Sequence, residues 1–440
     1  MRHVLLLLAA LSLFALAGCG GQKEGAAKDE LVIVWAKWEP ADALAKLCQK
    51  YTEETGKKVV VEQIPWQNFG DKIRNVVWAG KSAEYDIIIG DSQWLGQAVT
   101  QGHYVDLTEW MEKAIRLRDI SPEALKLYGE YPSGSGKYYA LPCEFDAIGF
   151  AYRKDKFEDP QERAAFKAKY GYDLAPPKTW TQLRDIAEFF TRPQQNLWGV
   201  ATFYSKGYDA LTMGFQQILW CWGADWADPN TGDPVGAINS DKAVEALKFY
   251  IDLKRFNPIG AEDYYFDETK NAFKEGLVVM AMEWYAFMPG FADKQYNPYA
   301  EVTGYFVSPG EVAHAVSLGG QGMSISTYSK RQSEAKQFMQ WFAKEETQRE
   351  WARLGGLTAN VVVLNSDDFR NAKPYNQAFS DTAGLLRDFT NNPVYQEMLD
   401  VSQEKLHAAI TGQMSPKEAL DAIATAHRKI LVDAKLLKAK

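Results

Sequence analysis

The chain reads as an α/β protein in which a mostly parallel sheet is covered by helices on both faces. Three observations predict this. Short β-branched runs alternate with segments of helical spacing from residue 31 onward. The third run, Tyr85-Asp86-Ile87-Ile88-Ile89, reads as a strand buried on both faces. A length of 440 residues calls for two or more domains.

The first residues concern the compartment. Met1-Arg2-His3 is a short positive start, and Val4 to Ala17 is an almost unbroken apolar run. A membrane span needs about 20 apolar residues, so this run reads as the core of a signal peptide covering residues 1–18. It ends in Leu16-Ala17-Gly18-Cys19, which resembles the lipobox of bacterial lipoproteins. That resemblance implies cleavage before Cys19 and acylation of its thiol; an ordinary secretion signal with an accidental cysteine is the alternative. Residues 19–30 then form a polar lipidated tether, with "GGQKEGAAK" offering nothing to pack. No later stretch is long and apolar enough to span a membrane, so the expected mature chain is a soluble body at the cell envelope, on the periplasmic or extracellular face, held only by lipid.

Acidic residues outnumber basic ones, 57 to 49, and no basic run occurs, which argues against nucleic acid or anionic lipid as a partner. Cys48, Cys143 and Cys221 are widely spaced and match no metal pattern. Buried free thiols are the favoured reading; one disulfide and one free thiol is the other.

The body opens with Leu31 to Trp35 as a strand. Pro40 suits the first turn of the next helix, which carries Leu44, Leu47, Cys48 and Tyr51 and stops near Gly56. Val59 to Ile64 is a second strand, and Asn68 to Ala79 returns to helical spacing through Ile73, Val76 and Val77. After the third strand comes Gly90-Asp91-Ser92-Gln93-Trp94. Ligands of open α/β sheets bind outside the carboxyl ends of the strands. That rule selects Asp91, Ser92, Gln93 and Trp94, and likewise Trp38 with Glu39 and Trp66 with Gln67 and Asn68. Three strand ends in succession thus offer an aromatic beside a polar side chain.

A helix-rich region follows. Thr179-Trp180-Thr181-Gln182 forms a capping box opening a helix through Leu183, Ile186, Phe189 and Phe190. Ser415-Pro416-Lys417-Glu418 opens another through Leu420, Ile423, His427 and Ile430. Between them, "NAFKEGLVVMAMEWYAFMPG" (271–290) runs from an apolar strand, Leu277 to Met282, straight into Glu283-Trp284-Tyr285. If that strand continues, Trp284 cannot share a direction with both neighbours.

Five segments in order carry a family resemblance: "YDIIIGDSQWLGQAVTQGHYVDLTEW" (85–110), "GKYYALPCEFDAIGFAYRKDKF" (136–157), "PPKTWTQLRDIAEFF" (176–190), "AFKEGLVVMAMEWYAF" (272–287) and "SLGGQGMSIS" (317–326). Together they resemble the bacterial extracellular solute-binding proteins, family 1, the maltose-binding-protein-like carbohydrate binders of ABC transporters. The resemblance implies a two-lobed periplasmic-binding-protein fold, each lobe a mostly parallel sheet flanked by helices, with a hinge that closes on a sugar. Lobe 1 would comprise 31–145 and 309–356, and lobe 2 would comprise 146–308 and 357–440. The partners implied are a carbohydrate ligand and the permease subunits of an ABC importer, with no cofactor and no metal; a monomer is expected.

The resemblance also implies site residues. Asp146, and beside it Glu144, lie where the chain first crosses between lobes; Lys206, Tyr208 and Asp209 fall in a second-lobe loop before a helix; Asn360 follows a Gly-Gly pair. Glu283, Trp284 and Tyr285 stand where the family often has Gly-Pro-Trp, and Gln321, after Gly320, stands where it often has an aromatic. Both departures argue for a more polar or differently shaped ligand. The chemistry agrees: ring faces cover the C–H side of a sugar, and carboxylates and amides take its hydroxyls. Trp284 is expected as a stacking shelf, with Glu283 or Tyr285 binding a hydroxyl.

No Ser-His-Asp order, His-rich metal cluster or Gly-rich phosphate loop accompanies these residues, and the five histidines are scattered. Binding rather than catalysis is expected. The alternatives are a glycan-sensing or adhesion protein, and a glycoside hydrolase using Asp146 and Glu283.

Overall fold

The computed structural model describes residues 30–389 and 391–439, without the side chain of Gln67. The signal, the tether and Cys19 therefore lie outside the described residues, apart from the last tether position, Glu30. Among the described residues nine strands form one curled sheet: β1 Leu31–Ala36, β2 Val59–Ile64, β3 Ile87–Asp91, β4 Leu141–Arg153, β5 Trp198–Ala201, β6 Val278–Trp284, β7 Thr303–Val307, β8 Val316–Ile325 and β9 Leu386–Arg387. Their order is β2-β1-β3-β8-β4-β6-β5, with β7 also on β4 and β9 on β8.

The opening βαβ rhythm is as read. β1 is buried along its length, and the helix Glu39–Thr55 follows with Pro40 in its first turn. Gly56 closes it at φ 71, the left-handed region where glycine carries no steric cost, and its N–H donates to the Thr52 carbonyl. β2 and β3 both join β1 in parallel, Ile33 lying against Val61 and Ile87. β3 starts two residues later than the apolar run, because Asp86 is used as a fastener. Its carboxylate accepts the Val32 N–H and the Ser329 hydroxyl, at 2.9 and 2.7 Å. The strand therefore reaches Asp91.

The two-lobed α/β architecture holds, but the sheet is mixed rather than mostly parallel. β1–β2, β1–β3, β5–β6 and β8–β9 pair in parallel; β3–β8, β8–β4, β4–β6 and β4–β7 pair antiparallel. Parallel neighbours need a crossover connection. β4 and β8 are instead long strands that run in opposite directions along the sheet, so they pair antiparallel. β4 pairs with β8 through Leu141–Ala147 and with β6 and β7 from Ile148 and Gly149 onward.

Two apolar clusters sit on this sheet. The first gathers β1, β3, the helix Glu39–Thr55 and the helices Gln332–Phe342 and Glu345–Leu354; the second gathers the helices Trp180–Phe190, Ala210–Cys221, Asp241–Leu253, Tyr395–Ile410 and Pro416–Asp433. The first cluster also takes in Phe273, Val278, Tyr285 and Phe291, so it reaches across the sheet beyond the strands β1 and β3. The segment from Leu357 to Leu386, expected with the second lobe, packs into the first cluster, where Phe379 meets Phe145 and Tyr285.

Thr179 caps its helix by accepting the Gln182 N–H, while the Gln182 side chain takes the Lys178 N–H rather than closing the box; Ser415 and Glu418 form the full reciprocal box. Cys48, Cys143 and Cys221 are all buried free thiols. Among the described residues no helix is long and apolar enough to cross a membrane.

Candidate functional site

The sheet's curl brings the carboxyl end of β3 opposite the end of β6, with a cavity between the two clusters. From the first-lobe side it is lined by Trp38, Trp66, Asp91, Ser92, Gln93, Gly319, Gly320 and Gln321, from the crossing strand by Glu144 and Asp146, and from the other side by Asp209, Met213, Tyr265, Phe266, Trp284, Phe287 and Phe389.

β3 runs directly into the helix Ser92–Thr100, and Asp91 is both the last strand residue and the helix N-cap. Consecutive residues at a helix start fan out around one end, so Asp91, Ser92 and Gln93 all reach the cavity. They also tie the lobes together. Tyr208 Oη donates to Asp91 Oδ2 at 2.9 Å, and Gln93 Nε2 donates to Asp209 Oδ2 at 2.5 Å. Tyr265 Oη donates to the other Asp209 oxygen at 2.5 Å, and Ser92 Oγ donates to Asp388 Oδ2 at 3.0 Å. Tyr208 holds its position with φ 48, a left-handed conformation uncommon for a non-glycine residue.

Glu144 and Asp146 are two apart on β4 and so share a face. Glu144 accepts the Leu357 N–H at 3.2 Å; Asp146 Oδ1 accepts the N–H groups of Ala147 and Ala286, at 2.7 and 3.1 Å. β8 comes close beside them because it is built from glycines. A Cβ on Gly319 would lie 2.7 Å from the Trp284 ring, and one on Gly320 would lie 2.2 Å from Tyr128. Gln321 extends this wall, its Oε1 accepting from Trp35 Nε1.

The rings form a connected wall. Trp38 lies 5.2 Å from Trp66 and 5.7 Å from Phe287 between centroids, and Phe287 stacks on Phe266 at 4.7 Å. Trp284, the last residue of β6, faces the cavity at 7% exposure. The chain then turns at Tyr285–Phe287.

Alternation sends the neighbours of Trp284 the other way. Glu283 is fully buried, accepting the Thr269 hydroxyl at 2.9 Å and the Trp284 N–H at 3.0 Å. Tyr285 is fully buried over Gly149 and against Phe379. Neither lines the cavity, so neither stands beside Trp284 as a hydroxyl-binding neighbour, and Asp146 and Glu283 do not flank a common substrate position.

Other expected residues also lie elsewhere. Glu39, Asn68 and Lys206 are exposed and outside the lining. Trp94, at 2% exposure, packs in the first core beside Phe69 and Trp78 with the Arg74 guanidinium over its ring. It is the third residue of its helix, already turned away from the strand end. Asn360 caps the helix Val361–Leu364, accepting N–H groups at 3.0 and 3.1 Å. Tyr208 does not line the cavity but holds Asp91.

Sequence reading missed Met213, Tyr265, Phe266, Phe287, Leu318, Gly319 and Phe389 in the lining, and Asp388 behind Ser92. Tyr264-Tyr265-Phe266 is an aromatic triplet before an acidic helix start, a signal of the same kind as those used at Trp38 and Trp66. Asp388-Phe389 carries no local signal.

The cavity is lined by acids. Burial pushes the carboxyl pKa of Asp91 up to about 6, of Asp209 to about 7 and of Asp146 to about 8, the Asp91 charge adding to the effect at Asp209. Burial holds Glu144 and Asp388 well above the usual carboxylate range, with Asp146 contributing at Glu144. Among the lining residues none is Lys, Arg or His. Among the described residues no group of three His, Cys, Asp or Glu is placed to hold a metal ion.

A family model described as bacterial extracellular solute-binding protein matches residues 37–349. A probable ABC transporter-binding protein of Deinococcus radiodurans is 25% identical over 393 residues, covering 86% of this chain and 88% of its own. A mannitol-binding protein of Pseudomonas aeruginosa is 25% identical over 318 residues, covering 66% of this chain and 68% of its own. The solved structure of an ABC transporter solute-binding protein from Agrobacterium radiobacter K84, in complex with ribitol, matches with a TM-score of 0.78 at 24% identity, covering 92% of this chain and 99% of that one. The fold is the same.

Proposed function

Because the chain belongs to the family of bacterial extracellular solute-binding proteins, we propose that it captures a sugar or sugar alcohol between its lobes and delivers it to the membrane permease of an ABC importer. One observation carries the reading. A single cavity combines the ring faces of Trp38, Trp66, Trp284 and Phe287 with the carboxyl groups of Asp91, Asp209, Glu144 and Asp146. Rings cover the apolar face of a carbon skeleton without asking for a donor, and carboxyl oxygens accept its hydroxyls. Mannitol is named for the Pseudomonas aeruginosa relative and ribitol is bound in the Agrobacterium radiobacter structure. Both support a small polyhydroxylated ligand.

In this reading the cavity residues on β3 and β8 belong to lobe 1, and Asp209, Tyr265 and Trp284 to lobe 2, with β4 and β8 as the hinge crossings. A ligand touching both lobes favours the closed arrangement by its differential affinity for it. The protein acts as a monomer at the cell envelope, anchored through acylated Cys19. The Cys19→Ser variant is expected to leave the membrane fraction with binding intact; continued sedimentation with membranes would refute the anchor.

The test is a thermal-shift screen against sugars and alditols, since a ligand of the folded state alone raises its apparent stability. A rise with members of the panel is expected. No shift with any carbohydrate, against a shift with amino acids or peptides, would overturn the reading.

A further inference from the structure

We infer that the ligand carries a protonated amine: an amino sugar or amino alditol whose ammonium group lies among Asp91, Asp209 and Gln93 and whose hydroxylated skeleton lies against the rings. This rests on the reading of the cavity as a carbohydrate site and narrows it.

The argument is a count of donors and acceptors around the cavity. At the Asp91–Asp209–Gln93 end each of these hydroxyl and amide groups already donates to an acid: Tyr208 Oη to Asp91, Gln93 Nε2 and Tyr265 Oη to Asp209, and Ser92 Oγ to Asp388. The acceptors are not exhausted. Gln93 is 4% exposed and lines the cavity, and its Oε1 is buried without a hydrogen-bond partner. When ionised, Asp91 and Asp209 each offer about four lone-pair positions, and neither stands in a salt bridge among the described residues. The cavity lining at the Asp91–Asp209–Gln93 end holds no donor-only group; the Arg74 guanidinium lies behind it, over the Trp94 ring.

A hydroxyl brings one hydrogen and two lone pairs, whereas an ammonium brings three hydrogens and no lone pair. The ammonium also brings the charge that buried carboxylates otherwise lack, and uncompensated buried charge is costly. Ring faces add cation–π attraction. A bare alkylamine fits less well. Trp38 Nε1 and Trp66 Nε1 are buried donors without partners, and they call for oxygen acceptors on the same molecule. A metal ion is not the match, because no described group of three ligating side chains surrounds a common point.

The test is titration calorimetry at pH 7 on the full mature chain with matched probes: glucose, glucosamine and N-acetylglucosamine, and sorbitol beside 1-amino-1-deoxysorbitol. At least one amine is expected to bind about tenfold or more tighter than both its hydroxyl parent and, for the sugar, its uncharged acetamide. That preference should collapse toward parity in Asp209→Asn or, independently, in Asp91→Asn. A parent alcohol that binds as tightly as its amine, or a preference unchanged in both folded variants, would overturn the inference while leaving the carbohydrate reading intact. Absence of binding by every probe, together with a thermal-shift panel silent for carbohydrates, would overturn both.

Discussion

The ends of β3 and β6 face each other across one cavity, yet they deliver side chains to it by different rules. At β3 the chain passes from strand to helix, and three consecutive residues, Asp91, Ser92 and Gln93, reach the cavity before Trp94 turns into the core. At β6 the strand runs on to Trp284, and alternation gives the cavity that residue alone while burying Glu283 and Tyr285. A helix start concentrates polar groups on a site; a strand end rations them. This is why three polar side chains reach the cavity from the end of β3 and a single ring from the end of β6.

The largest effect expected from this contrast is at Trp94. Replacing a buried core tryptophan by alanine costs about 3–5 kcal/mol, so Trp94→Ala should lower folding stability by that much in denaturant titrations while the folded fraction binds ligand unchanged. A stable variant with weakened binding would place Trp94 in the site after all and break the contrast.

Acidity sharpens it next. Asp91, Asp209 and Asp146 have pKa values raised by burial to about 6, 7 and 8, against about 3.9 in an unfolded chain. Between those values the folded, ligand-free protein keeps protons that the unfolded chain has released. Their contribution to stability is therefore fully present below about pH 4 and is lost as pH rises toward 8. Each retained proton contributes a slope of about 1.4 kcal/mol per pH unit. Urea unfolding of the unliganded protein should show falling stability from pH 5 to pH 8, and Asp146→Asn should flatten the upper part of that fall. A flat or rising profile would mean that these acids are ionised and compensated.

How far this was legible in the sequence follows from the same geometry. The strands at the three opening positions, the helix stop at Gly56 and the places of Trp38, Trp66, Asp91, Ser92 and Gln93 follow from local pattern plus the strand-end rule. That rule names a neighbourhood but not a direction. Glu39 and Asn68 sit at the right ends and point to solvent, because each falls on the outer side of the helix it opens. Asn360 shows the same limit. Like Asp91 it is an N-cap, but the helix it caps does not open onto the cavity. Nothing within a few residues distinguishes the two. Tyr265 and Phe389 reach the cavity from segments placed only by packing over more than 50 residues of separation, as the Tyr265 bond to Asp209 illustrates. The mixed sheet was hidden for a related reason, since the direction of β4 and β8 depends on partners far along the chain.

The smallest effect is at Asn360. Asn360→Ala should cost about 1 kcal/mol of stability through loss of a helix cap, with affinity unchanged when measured on the folded protein. Reduced affinity at full stability would return Asn360 to the site.

The central claim is that one ligand is held by rings from both lobes. Titration calorimetry of Trp66→Ala and Trp284→Ala, using a ligand identified on the wild type, tests it most directly. The account predicts that each substitution weakens binding by about 1–3 kcal/mol when measured on the folded protein, the range seen when stacking rings are removed, with Trp284→Ala also melting at a lower temperature because Trp284 packs in the second core. Wild-type affinity in either folded variant would contradict it.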